Sequence, residues 1–134
     1  MVLLKLLYVN NPVKILEKIS GIGIDLVNIN KFREKPFDSN KSFYQKIFSN
    51  DEIQYCLKFK DSSEHFAGKF GLKESVKKAI SPKIPFLAIE TSHTNSRPIV
   101  KINHDSYKKY LIHASLSHEK DFAIGFVIAQ KCTN

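Results

Sequence analysis

The chain of 134 residues is poor in cysteine, with only Cys56 and Cys132. They form no CxxC pair and no dense disulfide framework, so we expect two reduced, chemically idle thiols in a cytoplasmic protein. Acidic residues are also scarce. The 13 Asp and Glu face 21 Lys and Arg, a formal net charge of +8, which points to an anionic partner: nucleic acid, a phosphorylated cofactor, an anionic membrane or an acidic protein. Charge alone does not choose among them. No apolar run is long enough to span a bilayer, because VLLKLLYV (Val2 to Val9) is interrupted by Lys5 and stopped by Asn10, Asn11 and Pro12. No clear small-residue cleavage site follows it. We expect residues 1–18 to be an extension that packs on the domain or a partner, and residues 19–134 to form one domain. Internal repeats and low-complexity tracts are absent. His113 and His118 are five residues apart and make no HExxH zinc pattern.

What is present suits one well-packed domain: 43% of residues are hydrophobic, at a length near the usual domain size. In GIGIDLV, Gly21 to Val27, alternation puts Ile22, Ile24 and Leu26 on one strand face and Gly21, Gly23 and Asp25 on the other. A carboxylate in such a strand is costly unless paired, hydrogen-bonded or bound to a metal. The two glycines sharing its face are expected to leave room for a ligand.

Further along, Ser49 and Glu52 have the spacing of a capping box, with Phe48 and Ile53 as a hydrophobic staple. They predict a helix from about Asn50 to Phe59. A second helix is predicted over DSSEHFAGKFGLKESVKKAI, with Phe66, Ala67, Phe70, Gly71, Val76, Ala79 and Ile80 at helical spacing; Pro82 stops it. Glu74 and Lys78 lie four apart on one face of that helix. Strands are predicted around Phe86–Thr91 and Pro98–Ile102, joined by the polar stretch His93–Arg97. Two more lead into SLSH (Ser115 to His118) and along FAIGFVIA (Phe122 to Ala129), where bulky residues alternate with smaller ones and HEKD forms the hairpin. Strand, helices, then mostly strands predicts a compact α+β domain with an antiparallel sheet and packed helices.

GIGIDLV, FAGKFGLKESVKKA and SLSH followed by FAIGFVIA occur in that order, and together they resemble the signatures of the holo-[acyl-carrier-protein] synthases, small bacterial 4'-phosphopantetheinyl transferases. The resemblance runs from about Gly21 to Gln130. It implies transfer of the phosphopantetheine arm of coenzyme A to a serine of apo acyl carrier protein, with release of 3',5'-ADP, in support of fatty acid biosynthesis. It also implies a homotrimer with active sites between subunits. The family uses Mg²⁺, and its acidic ligands match Asp25 and Glu74; Mg²⁺ takes a few hard oxygen ligands and keeps water or phosphate oxygens in its other positions. Lys78 matches the lysine of the KExxxKA motif, placed for a phosphate oxygen or for proton transfer. His118 matches a histidine of the cleft. Lys69 matches a basic position near the phosphates. Lys31, six residues after Asp25, stands where an arginine contacts the carrier protein, and keeps the charge without the bidentate fork. The group that deprotonates the serine stays open among Asp25, a metal-bound water and His118, with Asp25, directly or through water, preferred.

The plainer readings are a turn carboxylate for Asp25, a solvated ion pair for Glu74 and Lys78, and a loop histidine for His118. His65, His93 and His104 read as surface or locally bonded groups, and Phe66 and Phe70 as core. Where the family has a glycine-rich loop after KA, this chain has ISPKIP, Ile80 to Pro85; its GKP is represented by Ser96, Arg97 and Pro98, and the alanine after KE by Ser75. The alternative function is a small basic nucleic-acid-binding domain, which would depend on lysines and stacking aromatics and tolerate loss of Glu74. A third possibility is a transferase-like subunit that has lost activity.

Overall fold

A computed structural model describes residues 19–132; the expected extension, residues 1–18, lies outside them. The elements are β1 (Ile19–Asn28), α1 (Asn30–Arg33), α2 (Lys41–Gln45), α3 (Asn50–Leu57), α4 (Ser62–Ala79), β2 (Ile89–Thr94), β3 (Arg97–Ile102), β4 (Tyr110–Glu119) and β5 (Phe122–Lys131). Single 3-10 turns occur at Phe37–Ser39 and Phe86–Ala88. The strands make an antiparallel three-stranded sheet, β1-β5-β4, and a separate β2-β3 hairpin. This is the expected α+β architecture with antiparallel pairing.

Helix α4 lies across one face of the sheet. It approaches so closely because that face carries small residues. A Cβ on Gly23 would sit 1.8 Å from the Ser75 carbonyl oxygen, one on Gly21 1.8 Å from that of Ala79, and one on Gly125 2.5 Å from the Gly71 carbonyl carbon. Ser75 fastens the contact, its hydroxyl within 2.7 Å of the Gly71 carbonyl and 2.8 Å of the Gly125 carbonyl. The glycines beside Asp25 therefore do not leave space for a ligand: the helix backbone fills it.

The bulky alternates of β1 and β5 point the other way. Ile22, Ile24 and Leu26 are 61%, 57% and 62% exposed, and Phe122 and Ile124 are also exposed. The predicted strand faces are correct, but the apolar one is the open one.

Two cores flank α4. Its first half meets an aromatic cluster with Phe32, Tyr44, Phe48 and Phe66; its second half meets aliphatic residues including Leu72, Val76, Ile84, Ile89, Val100 and Val127. The predicted capping box is present: Glu52 N–H donates to Ser49 Oγ, and Ser49 N–H to Glu52 Oε1. Both staple residues, Phe48 and Ile53, are buried. The β2-β3 turn uses Asn95 and Ser96, both at positive φ, 51° and 63°, the conformation a two-residue hairpin of this twist requires. The ISPKIP segment folds as a turn that drives Ile84 into the core. Among the described residues no helix is long and apolar enough to cross a membrane.

Candidate active site

Asp25 sits on edge strand β1, opposite Gly125 of β5. Lys78 Nζ donates to Asp25 Oδ1 at 2.9 Å and to the Ile24 carbonyl at 2.9 Å. The pair is asymmetric in burial, with the Asp25 side chain 15% exposed and that of Lys78 52% exposed. Lys78 lies at the C-terminal end of α4, where a cation also complements the helix dipole. Glu74, half-buried, is one turn earlier on the same flank. The structure thus joins Asp25 directly to Lys78, with Glu74 one helical turn before Lys78; Lys78 pairs with Asp25 across elements rather than with Glu74 within the helix.

Lys69 is five residues before Glu74 and so projects from a different face of α4. It is buried, its Nζ donating to the Thr91 carbonyl at 3.2 Å and Thr91 Oγ1 at 3.1 Å, and it lies 4.6 Å from the Tyr55 ring centre. Burial pulls its ammonium below the usual lysine range. It borders a pocket of about 320 Å³ with Tyr55, Lys58 and His93.

His118 is on β4, the opposite edge strand, and its Nδ1 meets Glu64 Oε1 in the first turn of α4. From the register, Asp25 lies two strand spacings from Leu116, and His118 is two residues farther on; their Cα atoms are about 12 Å apart, with α4 over the face between them. One chain does not place His118 on the Asp25 carboxylate. Lys31 is exposed on α1. Arg33, two residues later, donates to Asp121 at 2.8 Å, Asp61 at 3.4 Å and the Lys120 carbonyl at 3.3 Å. It thereby ties the β4-β5 hairpin to the start of α4.

Sequence reasoning read Glu52 only as a cap and did not reach its second role. Its Oε1 accepts from Lys73 Nζ at 2.7 Å, and Oε2 accepts from Thr91 N–H at 3.1 Å and from the Thr91 hydroxyl. Lys73 also donates to the carbonyls of Ile47 at 2.7 Å and Phe86 at 3.1 Å. Burial alone would push the Glu52 carboxyl up, but the Lys73 ammonium and the hydrogen bonds from Lys73, Thr91 and the Ser49 backbone hold it below the usual carboxylate range. The available signal was Lys69 and Lys73, one turn apart within a helix whose neighbouring positions are apolar or small. Glu64 was likewise missed, because its partner is distant in sequence.

Residues 21–127 match the family model described as the 4'-phosphopantetheinyl transferase superfamily. A holo-[acyl-carrier-protein] synthase of Halothermothrix orenii is 36% identical over 124 residues, covering 84% of this chain and 98% of the relative. That of Clostridium acetobutylicum is 32% identical over 122 residues, with 84% and 98% covered. Among solved structures, the holo-[acyl-carrier-protein] synthase of Helicobacter pylori in complex with coenzyme A is similar with a TM-score of 0.70 and 31% identity, over 81% of this chain and 99% of that one. The Bacillus anthracis synthase, in complex with CoA (3',5'-ADP), gives a TM-score of 0.72 at 28% identity, over 84% and 97%. With the motif-bearing strand and helix locked together at Asp25 and Lys78, the chain belongs to the 4'-phosphopantetheinyl transferase superfamily, as a member of its holo-[acyl-carrier-protein] synthase family.

Proposed function

We propose that the protein transfers the 4'-phosphopantetheine group of coenzyme A to a serine of apo acyl carrier protein, releasing 3',5'-ADP, as a cytoplasmic step supporting fatty acid biosynthesis. The observation that carries this reading is the Asp25–Lys78 ion pair, which joins the strand and helix bearing the family motifs, with Glu74 one helical turn before Lys78.

In the reaction the serine oxygen forms a bond to the phosphorus carrying the pantetheine arm, and the bond from that phosphorus to 3',5'-ADP breaks. Asp25 receives the serine proton, directly or through water. Lys78, more exposed than its partner, exchanges part of its contact with Asp25 for a phosphate oxygen and holds the leaving group's charge.

Asp25 and Glu74 are the residues that would hold Mg²⁺. Their donors are hard oxygens, and Asp25 already accepts a cation, the Lys78 ammonium. Among the described residues no group of three or more His, Cys, Asp and Glu is gathered as a metal cage. Two carboxylates suit an ion that completes its shell with substrate phosphate and water. Held there, the ion would supply positive charge against the pyrophosphate during phosphoryl transfer. Lys69 would meet a phosphate of coenzyme A at the pocket it shares with Tyr55, Lys58 and His93.

The exposed face of Ile22, Ile24, Leu26, Phe122 and Ile124 supports a homotrimer, because burying each large aliphatic side chain contributes about 1.5–3 kcal/mol. A neighbouring copy would also supply groups that one chain keeps apart, such as His118 and Asp25. A groove of about 1110 Å³ between the β2-β3 turn and β4, lined by Thr94, Arg97, Pro98 and Ser115, would form part of such a shared cleft. Exposed Lys31 would face the acidic carrier protein.

The test is to incubate the protein with coenzyme A, Mg²⁺ and apo acyl carrier protein and to weigh the carrier. The expected result is a phosphopantetheinyl mass gain that Asp25→Ala slows by about 100-fold or more, matching loss of several kcal/mol of charge stabilisation. No mass gain with any carrier, together with steeply salt-dependent nucleic-acid binding, refutes the reading.

A further inference from the structure

His118 and Glu64 form a contact that neither the family motifs nor the Asp25 site explains. Glu64 stands in the first turn of α4, and its carboxylate oxygen meets Nδ1 of the His118 ring from β4. The two elements are held in place nearby: Arg33 bonds Asp121 and the Lys120 carbonyl in the β4-β5 hairpin, and Asp61 just before the helix. Asp61 makes no side-chain cap bond, so its carboxylate serves this clamp instead of the helix end. His65, adjacent to Glu64, stacks on Phe59 with ring centres 3.6 Å apart. Glu64 is therefore the acidic group engaged with His118. The side chains are unequally open, His118 51% exposed and Glu64 26% exposed.

A carboxylate oxygen against Nδ1 favours the imidazole form that carries the proton there. The other nitrogen, Nε2, then carries the lone pair, on a side chain that is half exposed. A third group that fixes tautomer and orientation in this way is the general logic of an activated histidine. We propose that Glu64 is a positioning residue for His118, its carboxylate holding the ring with Nδ1 protonated and Nε2 free to accept a hydrogen bond from the water that passes the serine proton to Asp25.

This rests on the transferase reading, and the experiment separates the two. Nitrogen-15 NMR of the imidazoles near pH 8, assigned with His118→Ala, reads the tautomer without any substrate. The wild-type protein is expected to show His118 protonated at Nδ1, and Glu64→Ala to lose that signature. Carrier modification is then followed by steady-state kinetics. Glu64→Ala is expected to lower kcat by about 10-fold or more, the low end of general acid–base effects, with KM for coenzyme A changed less than about two-fold. Glu64→Gln, which keeps an acceptor oxygen without the charge, should restore part of the loss. A wild-type ring protonated at Nε2 overturns the proposal, as does full kcat in Glu64→Ala or in His118→Ala. A protein that shows the Nδ1 signature but modifies no carrier instead overturns the transferase reading.

Discussion

The close seat of α4 on the sheet makes Gly23→Ala a severe change at a position where alanine is chemically mild. The added Cβ would lie 1.8 Å from the Ser75 carbonyl oxygen, 2.7 Å from its carbon and 3.1 Å from the Ala79 nitrogen. All three are helix backbone, so no rotamer change relieves the clash, and α4 must move away from β1. Overpacking a core typically costs 1–3 kcal/mol, occasionally more; with backbone on both sides we expect about 3 kcal/mol, a large share of the usual 5–15 kcal/mol of net stability. Gly68→Ala provides the internal control. Its Cβ meets only the end of Leu116, 3.0 Å from Cδ2, and alanine regains about 1 kcal/mol of helix propensity, so the net change should stay within about 1 kcal/mol. Chemical denaturation of both variants, at one protomer concentration because association adds apparent stability, gives the comparison. Equal stability of Gly23→Ala and the parent would refute the close backbone contact between β1 and α4. Because Asp25 is two residues from Gly23, the same shift should also loosen the Asp25–Lys78 pair and lower transferase activity.

Lys73→Met removes the ammonium that compensates a buried carboxylate, with side-chain exposures of 0% and 2% for Lys73 and Glu52; we expect a loss of about 3–5 kcal/mol in denaturant unfolding. Burial holds His65 and His93 below the ordinary imidazole value of 6.5, so the unfolded chain binds protons more readily than the folded one. Their contribution is fully present above pH 6.5 and is lost as the pH falls through the lower folded values. The denaturation midpoint should therefore drop from pH 7.5 to pH 5.5, and a flat profile contradicts this. Ile24→Asp places a charge in the centre of the exposed apolar face and is expected to convert the proposed trimer to monomers by sedimentation velocity, with loss of carrier modification.

The order of elements was readable because each rests on local chemistry. The capping box at Ser49 and Glu52, the helix stopped before Pro82 and the alternating β5 are set by neighbours a few residues away, and all appear within a few residues of expectation. The short helices α1 and α2 were not foreseen, since four or five residues have too little pattern to show. Within the site, Glu74 and Lys78 share a flank because the helical period places them there, but the preference of Lys78 for Asp25 over Glu74 required β1 to lie alongside. Lys69 matches a basic family position near the phosphates. Its angular position on α4 turns it toward Thr91 and Tyr55, at the edge of a pocket away from Asp25, and only the fold could decide that.

By itself, then, the sequence determined the α+β class, the strand faces, the helix limits and, through three motifs in order, the family. Those depend on periods of two and 3.6 residues and on short-range caps, which one chain carries in its own spelling. Tertiary structure alone decided what each face meets. The glycines of β1 receive a helix rather than a ligand, the isoleucines that alternate with them stay open, and two lysines enter the core with one glutamate. Each of these outcomes depends on how closely distant backbones approach, and close approach is set by missing side-chain atoms on both partners at once.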